Sequence, residues 1–164
     1  MFSTQGDLSI TALYTSAVWS WGKLPNANLF SSPKGNRVFG VVNGVLSFLH
    51  LLFSHLPSLK HSLLHRHVII DHLLASSHSR CVLELACGLS RRGVSFSADP
   101  QVKYVEVDLP YVVDRKRHLL SRSSEGRLAL MRPNWQLVAG DASSLSLDEL
   151  APGAPHEPLF VIVE

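Results

Sequence analysis

"CVLELACGLSRRG", residues 81–93, is the stretch that decides the fold. Five mostly apolar residues end in a bend of small residues that contains Gly88, and two arginines follow directly. This order predicts a buried strand that turns into a helix. "KYVEVD", residues 103–108, then alternates its side chains between two faces, as a strand does. A strand, a helix and a second strand in this order predict a parallel pair joined by a crossover.

The chain downstream continues the same alternation. "LPYVVDRKRHLL", residues 109–120, has helical spacing, and the polar "SRSSEGR", residues 121–127, is predicted as a connection. "WQLVAGD", residues 135–141, and "PLFVIVE", residues 158–164, are two further strand candidates. The sequence therefore predicts an α/β fold whose sheet has about four parallel strands.

The first half of the chain is predicted to be helical. Apolar residues recur at helical spacing in 9–22 and in 58–77, which are separated by the turn-rich segment 25–36 and by the apolar stretch 38–53. Pro57 is expected to end the helix that this apolar stretch forms. This change of texture divides the chain into two regions. Residues 1–78 are predicted as an N-terminal helical cap region, and residues 79–164 as a partial Rossmann-like domain.

Composition limits the classes of partner. The chain has 164 residues, 46% of them hydrophobic and 17% charged, with a net charge of +2, so we expect a globular protein without a nucleic-acid partner. The first ten residues lack the basic start and apolar core of a signal peptide, and the two cysteines form no disulfide framework, so a cytoplasmic location is expected. Residues 38–53 are fewer than the roughly 18–20 needed to span a bilayer. They predict a buried or amphipathic helix and no membrane partner, with contact at a membrane surface as the alternative.

Ligands of open parallel sheets bind beyond the carboxyl ends of the strands. Gly88 follows the first predicted strand, and Asp108, Asp141 and Glu164 stand at the ends of the next three. A carboxylate about 20 residues after a glycine loop suits the two hydroxyls of a ribose. Each residue also has a structural interpretation: a turn at Gly88, a helix cap at Asp108, a turn at Asp141 and a frayed terminus at Glu164.

The loop matches neither common phosphate-binding pattern. Aligned with G-x-G-x-x-G, it has Ala86, Gly88 and Arg91, so the first and third glycines are missing. Gly88 and Gly93 have the spacing of G-x-x-x-x-G-K-[ST], but valine and serine follow them. The missing glycines argue against a nicotinamide-dependent oxidoreductase. The loop suits an adenosine ligand without a pyrophosphate better.

Arg66 is the second candidate ligand group. It shares a helix stripe with Ile69, Ile70 and Leu73, and this spacing predicts that Arg66 is buried and needs a partner. The partner is either a structural one, Asp71, or a ligand carboxylate, which the arginine fork suits. The histidines suggest no metal site, because no cysteine or acid is placed to complete one. Cys87, beside the loop, has no evident activating base.

Five motifs, taken in order, resemble those of a known family. "LLHRHVIIDHLL", "VLELACGLSRRG", "YVEVDLPYVVDRKRHLL", "LVAGD" and "FVIVE" are similar to successive motifs of the leucine carboxyl methyltransferase family. That family consists of class I S-adenosylmethionine-dependent methyltransferases and includes bacterial O-methyltransferases of polyketide tailoring. The resemblance spans residues 60–164 and implies a Rossmann-like fold that binds S-adenosyl-L-methionine.

The resemblance implies roles for individual residues on the amino-terminal side of the site. Arg66 would pair with the methionine carboxylate, and Glu84, Ala86 and Gly88 would form the cofactor loop. Ala86 departs from the family, which usually has glycine there. Thr15 stands where some relatives carry a lysine, which argues against specificity for a peptide carboxylate of the protein-phosphatase type.

The remaining implied roles lie on the later strands. Asp108 would hold the ribose hydroxyls, Asp141 and Ala142 would flank the adenine, and Glu164 would face the methionine amino group. Relatives continue after this glutamate with further strands and the acceptor pocket, so the chain is expected to be a fragment or a truncated form. No catalytic residue is assigned.

The resemblance implies methyl transfer to a carboxylate or hydroxyl oxygen of a small molecule. The alternative is a non-catalytic remnant or partner-binding Rossmann-like module that self-associates through an exposed edge strand.

Overall fold

Four parallel strands form one sheet in the order β3-β2-β1-β4. The computed structural model describes residues 10–52, 58–144, 146 and 158–163. The strands are β1 (Cys81–Leu85), β2 (Lys103–Asp108), β3 (Trp135–Ala139) and β4 (Leu159–Val163). The helices are α1 (Ile10–Trp21), α2 (Pro33–Leu52), α3 (Leu59–Ser77), α4 (Arg92–Phe96), α5 (Pro110–Ser121) and α6 (Ser124–Leu130), and a 3₁₀ helix (Ala27–Phe30) lies between α1 and α2.

The predicted α/β class and parallel sheet are confirmed, and the arrangement is a partial Rossmann-like fold. The chain runs outward from β1 to β2 and β3, and β4 then returns to the other side of β1. The carboxyl end of β1 therefore lies at the point where the strand order reverses. Ligands of open α/β sheets bind at such a point.

The two faces of the sheet bury different sets of residues. On one face, strand residues such as Val82, Tyr104 and Ile162 join side chains from the helices in the larger hydrophobic core. This core contains Trp19 and Leu74 together with the strand residues, so it joins the N-terminal helices to the sheet. On the other face, a smaller cluster consists of Leu83, Val105 and Val107, with four partly buried neighbours: Leu85, Val138, Ala142 and Leu159.

Two helices begin where the sequence predicted turns or connections. α2 begins at Pro33, inside the predicted turn-rich segment, because Ser32 Oγ accepts a hydrogen bond from the Gly35 N–H at 3.0 Å and proline suits the first helical position. α6 replaces the predicted connection in the same way. Ser123 Oγ accepts the Gly126 N–H at 3.0 Å, and Ala129 is buried in the core. Short capping signals outweigh a polar composition in both segments.

The prediction that Arg66 shares a buried stripe with Ile69, Ile70 and Leu73 is wrong. Ile69 and Leu73 are more than half exposed, and α3 instead buries His67 and Leu74. The apolar residues of α3 occur in adjacent pairs, so two neighbouring faces are almost equally apolar. The ion pairs of Asp71 with Arg91 and Arg92 determine which of these two helix faces is turned towards the core.

The N-terminal helices α1 and α2 pack against each other. The rings of Tyr14 in α1 and Phe39 in α2 stack at 5.7 Å, and Tyr14 Oη donates to Asn43 Oδ1 at 3.3 Å. The predicted end of α2 at Pro57 lies outside the described residues. Within the ranges described above, no helix has both the length and the hydropathy required to cross a membrane.

Candidate functional site

A cavity of about 260 Å³ lies at the carboxyl ends of β1 and β2. Its volume lies just below the usual range of ligand pockets, about 300–1,000 Å³. Helices α1 and α3, the loop after β1 and the start of α5 contribute its walls. The lining residues are Thr11, Ala12, Thr15, Arg66, Ala86, Gly88, Leu89, Asp108, Tyr111 and Val112.

The loop after β1 turns sharply because two of its residues have left-handed backbone. Ala86 and Gly88 both have φ of 53°. The Cys87 N–H between them donates to the Val107 carbonyl at 3.3 Å, and the Ser90 N–H donates to the Cys87 carbonyl at 2.8 Å. The glycine that the family resemblance expects at 86 would adopt this φ without strain, whereas alanine adopts it at a cost.

Asp108 ties the loop to the end of β2. Its Oδ2 accepts the Gly88 N–H at 2.6 Å and its Oδ1 accepts the Leu109 N–H at 2.7 Å. The alternative that Asp108 caps the next helix is wrong, because Leu109 is the N-cap residue of α5 and this cap has no side-chain hydrogen bond. A carboxylate offers about four acceptor positions, so Asp108 retains capacity for two hydroxyl groups.

Arg66 reaches the same cavity from α3. Arg66 is exposed, and no acid in the described part of the chain forms an ion pair with it. The alternative of a structural pair with Asp71 is wrong, because Arg91 and Arg92 bind that carboxylate. A guanidinium without an acidic partner that lines a cavity is available to an anionic ligand group.

Two acids lie side by side under the helices. Glu84 of β1 and Glu106 of β2 are register partners, and both are fully buried. Arg92 Nη1 lies 2.9 Å from Glu84 Oε1, and Lys116 Nζ lies 2.7 Å from Glu106 Oε2. The Tyr104 hydroxyl donates to Glu84 Oε2 at 2.7 Å. Each buried carboxylate is thus matched by a buried cation, as burial of charge requires.

Glu84 is therefore not among the residues that line the cavity, although the resemblance places it in the cofactor loop. Its two oxygens are held by Arg92 and Tyr104. Burial raises the pKa of Glu106 from 4.5 to about 7, and the nearby Lys116 opposes this rise. The sequence showed one acid within each of two apolar strands, at Glu84 and Glu106. It did not show that Arg92 and Lys116 pair with them.

Cys87 is not an activated nucleophile. It is buried, and burial raises the pKa of its thiol well above the usual 9.0. The Nζ of Lys116 lies 4.0 Å from Cys87 Sγ and lowers this pKa, but by less than burial raises it. The thiol stays protonated at neutral pH and acts as a small apolar residue of the loop.

The other predicted site residues lie further along the sheet edge. The Gly140 N–H donates to the Asp108 carbonyl at 2.9 Å, which brings the end of β3 beside the end of β2. Asp141 is exposed, and its Oδ1 accepts the Ser143 N–H and hydroxyl at 2.9 Å and 2.7 Å, which lowers the pKa of Asp141. Asp141 and Ala142 do not line the cavity. Glu164 lies outside the described residues.

Six of the ten lining residues were missed as candidates, and one of them, Thr15, was noted only as a departure from the family. Thr11 and Thr15 supply hydroxyl groups from α1, and Tyr111 and Val112 supply the start of α5. Helical spacing indicates that Thr11 and Thr15 share a face, but only the packing of α1 shows that this face meets the loop.

The structure thus brings Arg66, Asp108 and the loop at Ala86 and Gly88 to one cavity, and places Glu84 in a buried network. The residues of this cavity and their contacts are the support for a functional proposal. No protein-family model matches the chain, and no curated protein matches it either.

Proposed function

We propose that the protein is an S-adenosyl-L-methionine-dependent O-methyltransferase related to the leucine carboxyl methyltransferase family. The observation that carries the proposal is the convergence of Arg66, Asp108 and the left-handed Gly88 loop on one cavity. The motif order across residues 60–164 supports the same family. A cation for a carboxylate and a carboxylate for a diol are the groups that an amino-acid nucleoside requires.

The residues present fit this cofactor. Arg66 would hold the methionine carboxylate through its fork, and Asp108 would accept hydrogen bonds from the ribose hydroxyls through its remaining lone pairs. The loop at Ala86 and Gly88 brings backbone close to the ligand. The bound cofactor supplies an electrophilic methyl group on a sulfonium centre.

The chain's own contribution to the reaction is alignment and exclusion of water. We propose that the acceptor is a carboxylate or hydroxyl oxygen of a small molecule, positioned near Thr11, Thr15 and Tyr111 on the cavity wall. A carboxylate acceptor releases no proton on methylation and needs no base, whereas a hydroxyl acceptor releases its proton, which passes to solvent because no lining residue is assigned to take it. Cys81 and Cys87 are buried and form no disulfide, which is compatible with the cytoplasmic location that we also propose.

Calorimetric titration with S-adenosyl-L-methionine tests the proposal. Arg66→Gln and Asp108→Asn should each weaken binding by at least about tenfold, because each removes a hydrogen bond to a charged group. Arg115→Gln and Asp114→Asn are matched controls on the exposed face of α5 and should leave the affinity unchanged. A folded wild-type chain that gives no heat, or site variants that bind like the controls, would contradict the proposal.

A partner-binding module is the second candidate function, and the outer edge of β4 favours it. Among the strands that the structure describes, β4 pairs only with β1, and residues 159–163 carry no charge. Val161 is half exposed and Val163 largely exposed. At the opposite edge, Arg117 donates to the Leu137 carbonyl at 2.9 Å and so occupies part of β3. An uncharged edge strand is a template for pairing with a second copy.

A further inference from the structure

A second cavity, of about 390 Å³, lies at the amino ends of β1 and β2. It is bounded by the end of α3 with the residues that lead into β1, and by the end of α4 with the residues that lead into β2. The length of β1, five residues or about 16 Å at 3.3 Å per residue, separates it from the candidate functional site. Its volume lies within the usual range of ligand pockets, about 300–1,000 Å³. Ligands of open parallel sheets bind at the carboxyl ends of the strands, so this cavity is separate from the site that the fold provides.

The inner wall of this second cavity is apolar. Leu74 of α3 is 3% exposed, and the partly buried Phe96 and Val102 pack against the same hydrophobic core. Packing in that core holds all three side chains in place. A ligand that enters the second cavity would therefore meet a fixed aliphatic and aromatic surface, which suits an apolar side chain.

Two opposite charges line the outer part of the second cavity. Arg80 and Asp99 are exposed, and each lies on one of the two connections that lead into the strands. Asp99 Oδ1 accepts the Gln101 N–H at 2.9 Å, which leaves the second carboxylate oxygen for a ligand. Within the described residues, Arg80 and Asp99 form no ion pair with each other or with any third residue, so their charged atoms lie more than 4.0 Å apart. A guanidinium and a carboxylate that line one cavity without meeting are complementary to a ligand that carries both charges.

Hydrogen bonds fix the backbone that carries these two charges. The Lys103 N–H donates to the Arg80 carbonyl at 2.7 Å, and the Val102 N–H donates to the Asp99 carbonyl at 3.1 Å. Asn134 Nδ2 also donates to the carbonyl oxygens of Asp99 and Val102, at 3.0 Å and 2.8 Å. Because both connections are already ordered, a ligand would not have to order them, which lowers the free-energy cost of binding.

We propose that the second cavity binds a free α-amino acid with an apolar side chain. Arg80 would pair with the α-carboxylate, and Asp99 would accept hydrogen bonds from the α-ammonium group. The side chain of the amino acid would pack against Leu74, Phe96 and Val102. A ligand with only one of the two charges would leave the other residue without a partner. The proposal does not rest on the proposed methyltransferase activity, because the two cavities lie at opposite ends of the sheet.

Calorimetric titration with L-phenylalanine tests the proposal, since its ring can contact the ring of Phe96. The wild-type chain should bind L-phenylalanine at least about tenfold more tightly than phenylpropionate, which lacks the ammonium group, or phenethylamine, which lacks the carboxylate. Arg80→Gln and Asp99→Asn should each weaken binding of L-phenylalanine by at least about tenfold, because each removes a charge that the ligand meets. Both variants should fold, since asparagine keeps the oxygen that accepts the Gln101 N–H and the Arg80 side chain makes no contact that the fold needs.

Three further variants locate the binding site. Arg66→Gln should leave the affinity for L-phenylalanine unchanged, because Arg66 lines the other cavity. Arg115→Gln and Asp114→Asn, on the exposed face of α5, are the matched controls and should bind like wild type. A folded wild-type chain that gives no heat with millimolar L-phenylalanine, or that binds phenylpropionate equally well, would overturn the proposal. Binding that is lost in Arg66→Gln but kept in Arg80→Gln would place the amino acid in the other cavity and would also overturn it.

Discussion

The loop after β1 contains a glycine whose backbone conformation other residues adopt only at a cost in free energy. Gly88 has a left-handed φ of 53°, and a Cβ at that position would meet no atom within 4 Å. We therefore expect Gly88→Ala to lower the free energy of unfolding by about 1–2 kcal/mol through backbone strain alone. Urea denaturation measures the change.

Gly44→Ala is the matched control for this prediction. Gly44 also has open space around it but lies in α2 with helical backbone, so alanine should raise the free energy of unfolding by up to about 1 kcal/mol. Changes of the same sign in both variants would show that the left-handed backbone is not the cause.

The buried carboxyl group of Glu106 predicts a pH dependence of stability. In the folded chain its pKa is raised to about 7, whereas the unfolded carboxyl has a pKa of 4.5. The folded state therefore binds more protons between these two values, so the stabilisation is complete below pH 4.5 and is lost as pH rises through 7. The slope should reach at most about 1.4 kcal/mol per pH unit.

Denaturation of wild type and Glu106→Gln at pH 4.5, 6 and 7.5 measures this slope, and those pH values bracket the pKa shift. The free energy of unfolding of Glu106→Gln should not decrease between pH 4.5 and 7.5 as that of the wild type does. Among the described carboxyl groups, Asp141 also has a shifted pKa, but hydrogen bonds from Ser143 lower it from 3.8, so Asp141 titrates below this pH range. A wild type that gains stability over this range would contradict a raised pKa at Glu106.

At this scale the sequence predicted the cavity residues better than their surroundings. Ala86, Gly88 and Asp108 line the cavity because short patterns fix the ends of strands. Arg66 also lines it, although the buried helix stripe from which it was predicted is absent from α3. Glu84 could not be separated from them, since alternation shows only which face of a strand it occupies. Whether that face meets a ligand or a buried cation depends on helices that follow later in the chain.

At the scale of elements, the orientation of α3 depends on one carboxylate. Asp71 binds Arg91 and Arg92, which lie at the start of α4, so it fastens α3 to the loop end of the sheet. Asp71→Asn should lower the free energy of unfolding by about 1–3 kcal/mol, because the largely buried Arg91 loses its acidic partner, whereas Arg92 keeps Glu84. Denaturation measures the loss, and amide exchange should show it first in α3.

Asp114→Asn provides the matched control for Asp71. Asp114 lies 3.9 Å from Arg117 in an exposed pair on one helix, so its loss should cost at most about 0.5 kcal/mol. Equal losses in the two variants would show that α3 is held by apolar packing alone. The same contrast explains why the rotation of α3 was mispredicted, since periodicity does not include ion pairs with residues 20 positions away.

The bounds of β1 and β2 were predictable from the sequence, whereas the starts of α2 and α6 were not. β1 and β2 occupy the predicted residues, because a parallel strand buried on both faces needs an apolar run that is bounded by turns. The starts of α2 and α6 depend instead on one serine hydroxyl each, at Ser32 and Ser123. A single capping bond is a small signal within a polar stretch.

At the scale of the molecule, the sheet has two unlike edges. The β3 edge is partly occupied by Arg117, whereas β4 presents an uncharged edge with Val161 and Val163 exposed. Two copies of β4 related by a twofold axis would pair their free backbone groups without bringing like charges together. We therefore expect the chain to self-associate as its concentration rises, and Val161→Lys to weaken this association by at least about tenfold, because charged edge residues oppose strand pairing. Sedimentation equilibrium over a range of concentrations measures both effects. Val68→Lys is the matched control, since Val68 is similarly exposed on α3 and its change should leave the association constant unaltered. A wild type that stays monomeric at every concentration, or a Val68→Lys variant that dissociates as readily, would exclude β4 as the interface.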